Sequence, residues 1–275
     1  MRSAFRSRGT PCDAIDPEPA DAFALERPDR GSPLVNVMES AARYAFAAPV
    51  ARGARVLDVA SGSGLGSDFL GRSGAHLVVG VESDPAALGA RRIVTTSGTC
   101  FVRAAAATLP FGDGSFDVVV SFETIEHLVD ADRMLAECRR VLRRPGLFYL
   151  STPNRSVSRW LPPNPFHVRE FTTREIATLL RRHFDDVTCH WQRPVVVPVF
   201  ALRQAVRRWL TFAPGGAGLW RLWRRIRPER SSLGATTWRG ERFDDELLND
   251  AYYRVVPASR IGWHRPMYTV LVARC

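Results

Sequence analysis

The sequence contains no lysine: all 38 basic residues among its 275 are arginine. Arginine codons are GC-rich and lysine codons AT-rich, so a GC-rich genome accounts for the bias without a functional role. Cysteine is sparse. The five (Cys12, Cys100, Cys138, Cys189 and Cys275) never fall in a CxxC spacing, which excludes a zinc knuckle and a disulfide framework and leaves reduced, structural thiols. No stretch reaches the ~18 uninterrupted apolar residues of a membrane span, and no apolar run follows the N-terminal arginines as in a secretory signal. These absences lead us to expect a cytoplasmic protein.

What charge there is lies unevenly. The formal net charge is +10, yet residues 193–230 hold nine arginines against the single acid Glu229, which leaves +2 for the other 237 residues. A nucleic-acid protein more often carries its charge on the domain that binds, so the global excess does not point to a nucleic-acid partner.

A hydrophobic content of 45% over this length suits one main domain with extensions. Residues 1–32 are rich in Pro, Asp, Arg and Gly without periodicity and read as a mobile leader. From Pro33 to Ala48 apolar residues return at helical spacing, which predicts a helix over the mouth of a site. Then ARVLDV, HLVVGVE, TCFVRA, FDVVVSF and GLFYLST form short continuous apolar runs with helix-like segments between most of them. Continuous runs fit strands covered on both faces, and the alternation fits a doubly wound, Rossmann-like parallel sheet. A helix near 173–183 and a strand near 185–192 follow, and MYTVLVARC makes a last strand. The expected organisation is therefore a core at 33–192, a basic Arg/Trp-rich insertion at 193–265 and a return to the core at 266–275.

VLDVASGSGLGS places Asp58 at the end of the first strand and follows it with Gly62, Gly64 and Gly66. Glycines let a backbone approach a ligand closely at a helix start, although a GxG spacing alone does not select the ligand. The position three after Gly64 is Ser67, so the dinucleotide spacing is incomplete. An acid at Asp58 suits a ligand with a cationic end. Glu82 closes the second strand 24 residues later, where an acid that chelates ribose hydroxyls belongs.

Taken in order, VLDVASGSG, VVGVESDP, LPFGDGSFDVVVSFETIEHL, RVLRRPGLFYLSTPN and NPFHVREFT resemble the class I S-adenosylmethionine-dependent methyltransferases, over about Glu26 to Phe184. The resemblance implies an α/β fold with a seven-stranded sheet, an antiparallel last strand and a helical insertion before it. It also implies S-adenosylmethionine across the strand C-termini and direct methyl transfer. Asp58, Gly62 and Gly64 match the motif along the methionine part of the cofactor, whose usual first glycine is Ala60 here. Glu82, with Ser83 beside it, matches the ribose-binding acid. The acid that often contacts adenine is replaced by Ala105, so the base would rely on backbone near Ala105 and Ala106. Phe122 is either cofactor contact or core.

Glu123, Glu126 and His127 are spaced i, i+3, i+4, which would put them on one face of a helix. Two carboxylates and an imidazole can hold a divalent ion such as Mg²⁺ or Mn²⁺, and His127 could equally act as a metal-free base. A structural cluster is the third reading. The ubiquinone-biosynthesis O-methyltransferases and the small-RNA 3′-end 2′-O-methyltransferases resemble this chain in E-x-x-E-H, and the RNA enzymes add a distal histidine that His167 matches. That resemblance implies Glu123, Glu126, His127 and His167 as ligands, with His127, Glu123 and His167 catalytic. Asn154 and His167 follow the fifth strand, where acceptors are read in this fold. Asn154 is either a turn cap or a substrate contact.

In the insertion, Val199, Leu202, Val206, Trp209 and Leu210 form one helical stripe with Arg203 and Arg207 opposite, and LWRLWRRI repeats the device. Such helices can cap the fold, cover an acidic substrate, contact RNA or lie on an anionic membrane through 195–230, peripheral to the inner membrane face. The leading expectation is O-methylation of a small sugar, glycan-precursor or natural-product acceptor. RNA 3′-terminal 2′-O-methylation, with nucleic acid as partner, is the second, and an inactive membrane-surface or interaction protein the third.

Overall fold

The structure, a computed structural model, describes residues 32–89, 98–212, 242–243, 251–258 and 264–275. The leader before Ser32 and the LWRLWRRI segment lie outside the described residues. The predicted first helix is α1 (Leu34–Ala51). The apolar runs become β1 (Arg55–Val59), β2 (Leu77–Glu82), β3 (Thr99–Arg103), β4 (Phe116–Phe122) and β5 (Leu142–Pro153). Between and after them stand α2 (Leu65–Arg72), α3 (Pro85–Gly89), α4 (Ala131–Val141), α5 (Arg155–Ser158) and α6 (Thr173–Leu180). The chain continues through β6 (Asp186–Val196), α7 (Val197–Phe212), β7 (Val255–Pro257) and β8 (His264–Arg274).

The sheet order is β3-β2-β1-β4-β5-β8-β6-β7, with β8 antiparallel to both its neighbours. The seven expected strands and their antiparallel last member are all there. The insertion adds the eighth, β7, as an edge strand on β6. The first four residues of the insertion also differ from a helical cap, because Arg193–Val196 continue β6 opposite β8.

Continuous apolar runs fold as central strands because both faces are covered. Val56, Leu57 and Val59 of β1 are fully buried, α4 and α6 pack one face, and α1 and α2 pack the other. Order reverses between β1 and β4, so the ends of these strands leave a crevice of the kind in which α/β sheets bind ligands.

One packing constraint sets the wall of that crevice. Gly66, in the first turn of α2, faces the ring of Tyr44 from α1, and a Cβ there would stand 1.9–2.2 Å from the ring carbons. Tyr44 is held on its other sides by Phe122 at 5.0 Å and Phe243 at 6.0 Å between ring centroids. The ring cannot move aside, so Gly66→Ala should destabilise the protein by about 1–3 kcal/mol in urea unfolding. Tyr44→Leu in that background should recover part of the loss, whereas independent effects would simply add.

Candidate active site

The chain leaves β1 through a tight loop in which Ala60 (φ 60), Gly62 (φ 55) and Gly64 (φ 82) are all left-handed. Glycine takes this conformation freely; at Ala60 it carries a steric cost of roughly 1 kcal/mol. The loop is held against β2: Ser61 N–H donates to the Val81 carbonyl (2.8 Å) and Gly62 N–H to Glu82 Oε2 (2.9 Å). Glu82 Oε1 accepts from Asp84 N–H (3.0 Å), so the buried carboxylate lies between two backbone amides at the edge of the crevice.

The crevice has a volume of about 570 Å³. Following the strand order, Ala105 and Ala106 after β3 and Glu82 and Ser83 at the end of β2 line one side, and Ala60 and Gly62 after β1 and Phe122 at the end of β4 come next. Glu123, Glu126, His127 and His167 line the other end, with Arg43 and Glu39 from α1.

Three expected contacts do not reach the crevice. Asp58 is 0% exposed, and its carboxylate accepts from Ser67 Oγ (2.6 Å) and Tyr44 Oη (3.0 and 3.1 Å), so it braces the walls and does not line them. Gly64 caps α2 from outside the lining. Asn154 is buried with both amide functions engaged: Oδ1 accepts from Ser156 N–H at the start of α5, and Nδ2 donates to the Pro266 carbonyl. It is the turn cap, buried at the start of α5 and outside the lining of the crevice.

The acid-histidine trio also departs from the expected helix face. After β4 the chain turns at Glu123 (φ 52) into a single 3₁₀ turn, Ile125–His127. The left-handed residue turns the Glu123 carboxylate toward Ser151 and Arg43. Its Oε1 accepts from Ser151 Oγ (2.6 Å) and faces Arg43 at 3.8 Å. Glu126 goes inward and is 0% exposed; Oε2 accepts from Thr152 Oγ1 (2.9 Å), while Oε1 is buried without a hydrogen-bond partner. Burial pushes the carboxyls of both Glu123 and Glu126 up, Glu126 further because Glu123 is beside it.

The two histidines are oriented alike. His127 Nδ1 lies 3.1 Å from the Phe166 carbonyl, which can only accept, so Nδ1 carries the proton. His167 Nδ1 contacts Glu170 Oε1 (2.7 Å), and its Nε2 contacts Asn164 Nδ2 (3.0 Å). Phe166 N–H donates to Asn164 Oδ1 (3.0 Å), which fixes the amide so that Nδ2 donates to His167 and the proton of His167 sits on Nδ1. The rings stand edge to face at 4.9 Å, and Glu126, His127 and His167 each offer a ligand atom within 4.8 Å of the others. Three of the four expected ligands therefore converge, and Glu123 does not join them.

Sequence reasoning passed over several residues of the site. Asn164 had a signal, standing three residues before His167 in NPFH. Arg43 and Tyr44 had none beyond helical spacing. Arg43 donates to Gln192 Oε1 (2.8 Å) and lies 5.0 Å over the Tyr268 ring. Gln192 in turn donates to the carbonyls of Glu39 and Tyr253, and Arg193 pairs with Glu39. Phe243 reaches the crevice from within the insertion, its carbonyl accepting from Arg72 (3.0 Å).

Residues 57–150 match the family described as methyltransferase domain. A probable S-adenosylmethionine-dependent methyltransferase of Mycobacterium tuberculosis is 41% identical over 140 residues, 50% of either chain. A ubiquinone biosynthesis O-methyltransferase of Mesorhizobium japonicum is 30% identical over 126 residues, 40% of this chain and 50% of that one. The chain thus spans about half the length of these curated relatives. In shape it is similar to the S-adenosylmethionine-dependent methyltransferase of Mesorhizobium loti, with a TM-score of 0.52 at 18% identity over 88% of this chain and 100% of that one.

Burial raises the Asp58 carboxyl from 3.8 to about 6. The folded state therefore holds this proton more tightly than the unfolded chain, and the associated stability is complete below about pH 3.8 and lost as pH rises through about 6. The shift corresponds to about 3 kcal/mol. Asp58→Asn should show a flatter stability curve than the parent between about pH 4 and 6 by urea titration; parallel curves would remove Asp58 as the source.

Proposed function

We propose that this chain, whose residues 57–150 form a class I S-adenosylmethionine-dependent methyltransferase domain, methylates a hydroxyl oxygen of a small biosynthetic intermediate such as a sugar, glycan precursor or natural product. The cofactor of such a domain is S-adenosylmethionine, which supplies an electrophilic methyl group on sulfur. The residues present fit it. The left-handed loop at Ala60–Gly64 brings backbone close to one end of the crevice, and Glu82 directs a buried carboxylate at the place of the ribose. The alanines 104–107 supply a small-residue wall for the base.

The observation that carries the reading is the pair of imidazoles at the opposite end, each with its proton fixed on Nδ1. An attacking hydroxyl must lose its proton as the new oxygen–carbon bond forms. His127, with Nδ1–H held by the Phe166 carbonyl, offers Nε2 as the acceptor, and imidazole is suited to that task near neutral pH. His167, held by the Glu170 carboxylate at Nδ1 and by Asn164 at Nε2, packs edge to face on His127 and fixes the plane of its ring. Glu123 and Arg43 form the next layer and fix the polarity of that end. A hydroxyl acceptor also agrees with the O-methyl activity named for the Mesorhizobium japonicum relative.

A divalent cation is a second element of this reading, supported by the buried, unpartnered Oε1 of Glu126 next to both imidazoles. Glu126, His127 and His167 would hold it, and it would lower the pKa of a bound hydroxyl. From the insertion, Phe243 packs on Tyr44 at the wall of the crevice.

Two measurements test the proposal. Calorimetry should show S-adenosylhomocysteine binding that Glu82→Ala weakens by at least about tenfold and His127→Ala leaves nearly unchanged. In methyl-transfer assays over a panel of hydroxyl acceptors, followed by mass spectrometry, His127→Ala should lower the rate about 10²–10⁴-fold. Loss of activity on chelation, restored by Mg²⁺ or Mn²⁺, assigns the ion; full activity after chelation assigns His127 as a metal-free base. A folded protein that binds neither S-adenosylmethionine nor its demethylated product ends the proposal.

A further inference from the structure

Among the described residues, six of the seven large apolar side chains left exposed belong to segments that follow the C-terminal ends of β4, β5 and β6. These are Val129, Val168, Val199, Leu202, Val206 and Trp209. The crevice opens at the ends of β1, β4 and β5, so these groups lie along the same edge of the sheet as its opening, Val129 and Val168 beside the lining and the α7 group beyond it at the end of β6. Val129 is 92% exposed one residue beyond Leu128 of the lining, and Val168 adjoins His167.

The α7 contribution is the largest. Val199, Leu202, Val206 and Trp209 are separated by three, four and three residues and so share one helical face. Leu202 and Trp209 are each 65% exposed. The helix is attached through β6 and α5 and turns this stripe outward. A core helix would bury such a stripe, and an ordinary surface helix would not carry one.

The polar groups of the rim are mainly cationic. Arg159 lies over Trp160 and Arg169 over Phe171, each with an exposed head, and Arg203 is exposed on α7. The acids along this edge are already engaged: Asp130 caps α4, Asp132 pairs with Arg182 and His183, and Glu170 with His167. The segment from 193 to 230 adds a net eight positive charges in sequence. A second copy of the chain would bring arginine rims against each other, which disfavours a symmetric dimer through this face.

We propose that the rim docks on an anionic phospholipid surface, with α7 in the headgroup plane and the mouth of the crevice turned toward the lipid. Apolar side chains with a tryptophan on one face and arginines at the edge are the chemistry of an interfacial helix. No helix among the described residues is long and apolar enough to cross a membrane, so the contact is peripheral. The acceptor that such an orientation delivers is a hydroxyl-bearing headgroup on a lipid tail. That acceptor class rests on the methyl transfer proposed above; the docking does not.

Flotation of the full chain with vesicles separates the two. The intact protein should float with phosphatidylcholine vesicles containing roughly 30 mol% phosphatidylglycerol, less with phosphatidylcholine alone, and less again as salt is raised. Leu202→Glu with Trp209→Glu should reduce vesicle binding by at least about tenfold, with unfolding midpoint and S-adenosylhomocysteine affinity unchanged. Absence of vesicle binding by the folded parent overturns the docking, as does equal binding by the double variant. So does a dimer that the double variant dissociates, because a second copy would then be the occupant. Loss of vesicle binding with S-adenosylhomocysteine affinity intact supports docking, whereas failure of cofactor binding alone strikes only the methyl-transfer reading.

Discussion

The buried carboxylate of Asp58 is the interaction on which the rest of the site depends. It stands at the end of β1 with no exposure to solvent and is reached by Ser67 from α2 and Tyr44 from α1. A charge so placed is tolerated only if it is hydrogen-bonded, and a bond to a charged group is worth about 1.5–3 kcal/mol. Three elements are thereby fixed to one point. The same Tyr44 packs flat on Gly66 and edge-on to Phe122, so the position of α1 follows from the loop after β1. Since α1 also carries Arg43 and Glu39, the bracing at Asp58 sets the charges at the histidine end of the crevice.

Those charges form an alternating array, Arg193–Glu39 behind and Arg43–Glu123 in front, with Gln192 bridging the helix and the insertion. A single buried ion would cost several kcal/mol; pairs with shared hydrogen bonds reduce the penalty and fix geometry. The array explains why Glu123 leaves the histidines. Its left-handed backbone has a steric cost, which the bonds from Ser151 and the field of Arg43 offset. Glu126, which burial and the neighbouring Glu123 push well up, makes no ion pair among the described residues.

Much of the fold was legible in the sequence, because continuous apolar runs between helical segments allow few architectures other than a doubly wound sheet. The residues of the crevice were legible in kind but less so in role. Asp58 could be placed at the end of β1, yet its partner Tyr44 lies 14 residues earlier on a helix, and only packing brings them together. The i, i+3, i+4 spacing promised one face for Glu123, Glu126 and His127; a single left-handed residue, which no periodicity reveals, broke the set. The stripe on α7 was read from its spacing. Its orientation was not, because spacing alone does not say whether an apolar face meets core or solvent.

The loop that carries His167 shows how the two ends of the chemistry are joined. Asn164 closes its start by accepting from Phe166 N–H, and the Glu126 carbonyl accepts from both Val168 and Arg169 N–H in the middle. Thr172 and Glu175 close its end in a reciprocal capping box at α6. Glu126 thus holds the loop with its backbone while its carboxylate lies within 4.8 Å of a nitrogen of each imidazole. The spacing between His127 and His167 is therefore set by the backbone hydrogen bonds of the loop, which hold this end of the crevice in place.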